Sequence, residues 1–249
     1  MFAWPQIALR STPPVEHAPA FAELIRRAAM GPAAATERLD DDALCRRGGL
    51  VLEEATLHAA QGRLEALLFP CAGDRFRVVV DPEPRGGWDR VAPERRAELR
   101  RHRLRFRLAH EVGHTLFYDR SAPRPRPLVG TSPTQEAFCD EFARALLIPP
   151  VYAATLAPTA ISVVDLHARF DVSVELACRA LSQAHRGQLD VTLAVTGVSS
   201  RPTVQWTSRV DGVGEWAAAL RALRRRAVQA AGVTAIELPH RNQVVVVAS

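Results

Sequence analysis

Apolar and polar positions along this chain follow two periods, one helical and one alternating. Phe21–Met30 reads as a short helix, and Arg75–Val80 alternates and then runs apolar, as a strand does. Between them, Leu50–Leu68 places Val51, Leu52, Leu57, Leu64, Leu67 and Leu68 among polar residues in a pattern that fits a helix or strands. Asp81–Asp89 carries two Pro and two Gly and reads as a loop. Pro93 then starts a long basic helix, with a break expected near His102, that leads into a stretch where Phe106, Ala109, Val112, Gly113 and Leu116 recur at helical spacing. A further helix begins after Ser132: Ser132 is its N-cap, Pro133 its first residue, and Gln135 completes a capping box. Phe138, Phe142, Leu146 and Leu147 bury one side of it, and Pro149-Pro150 ends it.

The last hundred residues change character. Ser162-Val163-Val164-Asp165 is a capping box, and Val163, Leu166 and Phe170 share a face. Asp171-Val172 makes a turn, Ser173 caps the next helix, and Leu176, Ala177, Ala180 and Leu181 point inward. The pair has the form of a helix-turn-helix. Its second helix offers Glu175, Arg179 and Gln183 outward, and a single arginine favours a structural or docking role over DNA reading. Val191–Thr196 and Thr203–Val210 read as strands, Glu215–Gln229 as a helix with Trp216, Leu220, Leu223 and Val228 inward, and Ala235–Leu238 and Gln243–Val247 as strands. The expected fold class is therefore α+β. Four segments follow: an N-terminal extension (1–36, Pro-rich at first), a main domain (37–150), the helix-turn-helix-like segment (151–187) and a small α+β module (188–249).

Composition narrows the class. Length and an apolar content of 47% fit a soluble protein with a sizeable core, and no apolar run is long enough for a membrane span. The N-terminus lacks a signal-peptide pattern, and Cys45, Cys71, Cys139 and Cys178 form neither CxxC pairs nor a disulfide framework, so a reducing cytoplasm is expected. The pI of 9.6 comes with a net charge of only +5, all 32 cationic residues being arginine. The densest basic run is Arg95, Arg96, Arg100, Arg101, Arg103, Arg105 and Arg107, either a solvated helix face or a phosphate-contacting surface.

The chemistry lies at His110-Glu111-Val112-Gly113-His114, an HExxH sequence. Its two imidazoles lie about one helical turn apart on one face and hold one zinc ion together, while Glu111 stands where it takes a proton from a metal-bound water. A catalytic zinc needs a third protein ligand, and the downstream helix supplies Glu136. Asp140, one turn on, accepts a hydrogen bond from a ligand histidine and fixes its tautomer. Tyr118 either donates to an oxyanion or packs as a half-buried tyrosine. Cys139 either caps the metal as a regulatory thiolate or is a small buried residue.

Leu108-Ala109-His110-Glu111-Val112-Gly113-His114, then Glu136 and Asp140, then Phe142–Pro149, resemble the ImmA/IrrE zinc metallopeptidases, with an AHELGH helix and an ExxANxFAxxLLMP helix in that order. Cys139-Asp140 stands where that family usually has Ala-Asn, and Tyr118 where a histidine is common. The resemblance implies a thermolysin-like mini-gluzincin domain with one zinc on His110, His114 and Glu136 and with Glu111 as base. It also implies cleavage of a helix-turn-helix repressor, which derepresses a DNA-damage, mobile-element or anti-phage defence operon. The helix pair at 162–182 has a counterpart in the same family, and the last segment stands where longer relatives hold a GAF-like sensor, here truncated. Single-stranded DNA is the expected activator, through Arg95, Arg96, Arg100, Arg101 and Arg103. The alternatives are a DNA-binding regulator with a structural or vestigial zinc helix, and the toxin half of a two-gene module.

Overall fold

A computed structural model describes residues 7–57, 65–81, 93–185, 190–195, 203–208, 233–238 and 243–248. Among them are seven α-helices and three small sheets, a mixed α+β arrangement. The chain divides into two units, Met1–Pro149 and Pro150–Ser249. No helix among the described residues is long and apolar enough to cross a membrane.

In the first unit, helix α1 (Ala18–Met30) buries Ala18, Ala22, Ile25 and Ala29 along one stripe. That stripe also holds Arg26, whose side chain is fully buried. Its guanidinium donates to the carbonyls of Ala34 (2.7 Å), Leu146 (2.5 Å) and Glu37 (2.5 Å). Helix α2 (Asp41–Gly48) starts at Asp40, whose carboxylate accepts from the Ala43 N–H at 2.9 Å, and ends at Gly49 with φ +67°. A side chain at Gly49 would be strained by that φ and would meet the Asp74 carbonyl at 3.0 Å.

Strands β1 (Leu50–Glu54), β2 (Ala66–Cys71) and β3 (Arg75–Val80) form a sheet in the order β1-β3-β2. The ambiguous Leu50–Leu68 segment thus resolves into β1 and the start of β2, with residues 58–64 outside the described set. Strand β3 is central and buries Phe76, Val78, Val79 and Val80. It runs parallel to β1 and antiparallel to β2, which leaves β2 at an edge among the described residues.

Helix α3 (Pro93–Thr115) packs on β2 and β3. It runs unbroken through His102, contrary to the expected break. Its inward residues include His102, Arg105, Leu108, Ala109 and Val112, whereas Phe106 is only half-buried. Arg105 takes the inward position because Asp41 receives its guanidinium at 3.0 Å and the Leu39 carbonyl accepts at 3.2 Å. The helix ends at Thr115, and the two-residue strand β4 (Tyr118–Asp119) pairs with β5 (Arg126–Pro127). Helix α4 (Pro133–Leu147) begins as expected: Ser132 Oγ accepts from the Gln135 N–H at 3.2 Å. The reciprocal half of the capping box is missing, since Gln135 Oε1 has no hydrogen-bond partner among the described residues. The helix closes at Ile148, extended ahead of Pro149. Phe138 of α4 meets Phe21 of α1 and Phe117 edge-on, with centroids 5.8 and 5.6 Å apart. The N-terminal segment therefore belongs to the core of this unit.

The second unit opens with the short α5 (Pro150–Ala153), followed by α6 (Ala160–Phe170) and α7 (Val174–Ala184). The expected cap of α6 at Ser162 is displaced to Thr159, whose Oγ1 accepts from the Ser162 N–H at 3.3 Å. Asp171, with φ +51°, makes the turn and Ser173 caps α7. Both helices pack on a four-stranded antiparallel sheet of β6 (Asp190–Val195), β7 (Thr203–Thr207), β8 (Val233–Leu238) and β9 (Gln243–Ala248), in the order β7-β6-β9-β8. The helix pair and the sheet, read as separate segments, thus share one unit; the Ala160 N–H donates to Thr234 Oγ1 at 2.8 Å. The expected helix Glu215–Gln229 lies outside the described residues.

Candidate metal centre

Helix α3 presents His110 and His114 one turn apart, and their Nε2 atoms are 3.1 Å from each other. Helix α4 brings Glu136 to the same point: its Oε2 is 3.2 Å from His110 Nε2 and its Oε1 is 3.4 Å from His114 Nε2. Three possible lone-pair donors from two helices thus converge on one point. His110, Glu111 and His114 make a group able to hold a metal ion. Asp140 lies one turn beyond Glu136, and His110 Nδ1–H donates to its Oδ1 at 2.9 Å. That bond holds the His110 proton on Nδ1 and turns the Nε2 lone pair toward Glu136 and His114.

The helices approach closely here for a local reason. A Cβ at Gly113 would lie 3.1 Å from the Phe142 ring and 3.3 Å from Cα and Cβ of Cys139. Only a residue without a side chain lets α4 pass at this separation. Cys139 is accordingly fully buried in the seam between the helices. Burial first, and then the Glu136, Glu111 and Asp140 charges, push its thiol above the ordinary range.

The electrostatics divide the carboxylates. Burial raises Glu111 above the usual carboxylate range, against the pull of His114 and His110. The hydrogen bond with His114 holds Glu136 low. Burial pushes Asp140 up, but the His110 hydrogen bond and charge outweigh it and leave it lowered. His114 is pulled down by burial and pushed up more strongly by Glu136 and the neighbouring acids. Glu111 is thus the carboxyl whose environment favours holding a proton.

The group opens on a cleft of about 870 Å³. Residues 65–68 at the start of edge strand β2 give one part of its lining, residues 127–131 another, and α3, residues 117–118 and the start of α4 the rest. Tyr118 lines the cleft from β4, beyond the end of the α3 helix, with its ring edge-on to Phe76 at 5.1 Å. Burial and the Glu111 charge raise its hydroxyl pKa, so it stays a donor. Cys139 is not part of the lining. Glu65, Arg107 and Gln135 are, and the sequence singled out none of them for the site. Glu65 pairs with Arg107 and, at 2.8 Å, with Arg103.

The other arginines of α3 are also engaged. Arg95 pairs with Glu98 at 2.6 Å, and Arg100 with Glu54. Much of the basic run is therefore matched by acid close at hand. On α7, Arg179 pairs with Glu175 at 2.8 Å.

Residues 96–182 match the Peptidase M78 family, described as an IrrE N-terminal-like domain. No match was found among curated proteins.

Proposed function

We propose, on the premise that this chain carries an M78-family metallopeptidase domain, that it is a zinc endopeptidase acting on a helix-turn-helix repressor. The observation that carries the peptidase reading is the convergence of His110, His114 and Glu136 beside Glu111 on an open cleft. A structural zinc is closed off by four protein ligands and has no use for a base. Here three ligands and a buried carboxyl face a space large enough for a peptide. We read this α+β arrangement as a thermolysin-like mini-gluzincin plan, in which the helix pair α6–α7 serves structure or docking. The Glu175–Arg179 pair on α7 supports that role over DNA reading.

His110, His114 and Glu136 would hold the zinc, with Asp140 orienting His110. The ion, when bound, lowers the pKa of a water and polarises the scissile carbonyl. Glu111 would take a proton from a water in the cleft and pass it to the leaving amine. Tyr118, on the cleft wall with its proton retained, is placed to donate to the oxygen that gains charge.

Cleavage of a repressor would release a stress or defence operon, and such an activity must be held off until a signal arrives. Single-stranded DNA is the signal this reading assigns, with Arg95, Arg96, Arg100, Arg101 and Arg103 as contacts. The pI of 9.6 and the position of the run directly ahead of His110 support it. Co-expression with a repressor encoded beside this gene, followed by mass mapping of fragments, is the test. Fragments that appear with the wild type and vanish with Glu111→Gln support the reading. A repressor left intact by metal-loaded protein, with and without single-stranded DNA, overturns it.

A further inference from the structure

Gln135 has the chemistry of a substrate contact that the ligand set does not use. Its backbone N–H goes to Ser132 Oγ in the cap of α4, as the sequence requires. Its side chain does not return to the cap. It is 3% exposed, it lines the cleft, and its Oε1 accepts no hydrogen bond from the described residues. A buried acceptor left without a donor costs about 1–3 kcal/mol and is rare in folded proteins. The cap leaves this carboxamide oxygen without a donor, and the cleft that the residue lines is the space from which a donor can come.

The partner has to be a donor in a fixed place. Gln135 lines the same cleft as His110, His114 and Glu136, so an N–H that reaches it from the cleft belongs to a group lying beside the metal point. An extended peptide presents such a donor at every residue, at a constant offset from its carbonyl. Edge strand β2, which also lines the cleft, favours an extended ligand. We infer that Gln135 Oε1 accepts a backbone N–H of the bound peptide next to the scissile bond, making Gln135 a positioning residue. This rests on the peptidase reading above and deepens it. Recognition of this kind ignores side-chain identity. Gln135 would set where the peptide sits, and the rest of the cleft which peptide is chosen.

The test is a double-mutant cycle on binding. Zinc-directed peptide hydroxamates, each with one backbone amide N-methylated in turn, are titrated calorimetrically against zinc-loaded wild type, Gln135→Leu and Gln135→Glu. In the wild type, methylation of one particular amide should weaken binding about tenfold, the value of one hydrogen bond. Gln135→Leu should weaken the parent compound by a similar factor and be indifferent to that methylation. Gln135→Glu keeps an acceptor and should keep the preference for the unmethylated compound. The comparison is made within each protein, so a loss of stability in a variant does not mimic the result. If the hydroxamates bind but no methylation is coupled to Gln135, the inference is wrong and the peptidase reading stands. If zinc-loaded protein binds none of them, both fall.

Discussion

Gly113 and Cys139 face each other across the α3–α4 seam, and a Cβ on Gly113 would come within 3.3 Å of both the Cα and the Cβ of Cys139. Gly113→Ala should gain about 1 kcal/mol of helix propensity and still destabilise the protein, by about 1–3 kcal/mol from overpacking. A lowered urea midpoint with an unchanged slope checks this. Because the seam sets the reach from His114 to Glu136, zinc affinity should fall as well. Cys139→Ala removes only a buried sulfur and should leave basal repressor cleavage where it is. A rise in basal cleavage would restore the thiolate switch that full burial argues against.

The proposed metal ligands give a graded series. His110→Ala and Glu136→Ala should lose zinc on dialysis, measured by elemental analysis. Glu111→Gln should keep it and lose cleavage. Asp140→Ala should weaken zinc about 10–100-fold by removing the acceptor that orients His110. Asp140→Asn keeps an acceptor oxygen and should lose much less. Chelator competition at fixed pH ranks all five variants.

Cys45 offers a pH-dependent check away from the metal. Burial, then Asp41 and Asp42, raise its thiol to about 11. Alkylation should be slow at neutral pH and rise about tenfold per pH unit until that value is approached, since the thiolate is the nucleophile. The folded pKa exceeds the unfolded one, so the stability tied to this proton is complete below the ordinary thiol value of 9.0 and is lost as pH rises toward about 11. Alkylation at the rate of an unstructured thiol would show the environment to be wrong.

The acids beside α3 set terms for the proposed nucleic-acid signal. Glu54 and Glu65 already engage Arg100 and Arg103, so phosphates must compete for those guanidiniums. Binding of single-stranded DNA should be modest and fall steeply with salt. Reversal of Arg100, Arg101 and Arg103 to Glu should abolish it while zinc content holds. DNA-stimulated cleavage that survives the reversal would move the sensor elsewhere.

The parts of this protein legible in its sequence are those fixed by local chemistry. The HExxH turn, the Ser132 cap, the Pro149 stop and the spacing from Glu136 to Asp140 depend on helical geometry alone. Other features depend on what a segment meets. The α6 cap falls on Thr159 and not on Ser162, because both hydroxyls can cap and the Ala160–Thr234 hydrogen bond favours the longer helix. Arg105 replaces Phe106 as an inward residue only because Asp41 and the Leu39 carbonyl await it. Gln135 matches a capping box in sequence, and only the structure shows that its side chain leaves that box unclosed and buried beside the cleft.

The three carbonyls held by Arg26 bear on where this chain can be shortened. The sequence invites a cut near residue 37, ahead of the main domain. Such a truncation would remove α1 and with it the guanidinium that grips the Leu146 carbonyl at the far end of the helix carrying Glu136. It would also strip the apolar stripe that covers Phe138. Material trimmed at that point should emerge insoluble or metal-poor. Its failure would then be mistaken for a dead enzyme, when what was discarded is the inner brace of the candidate metal site.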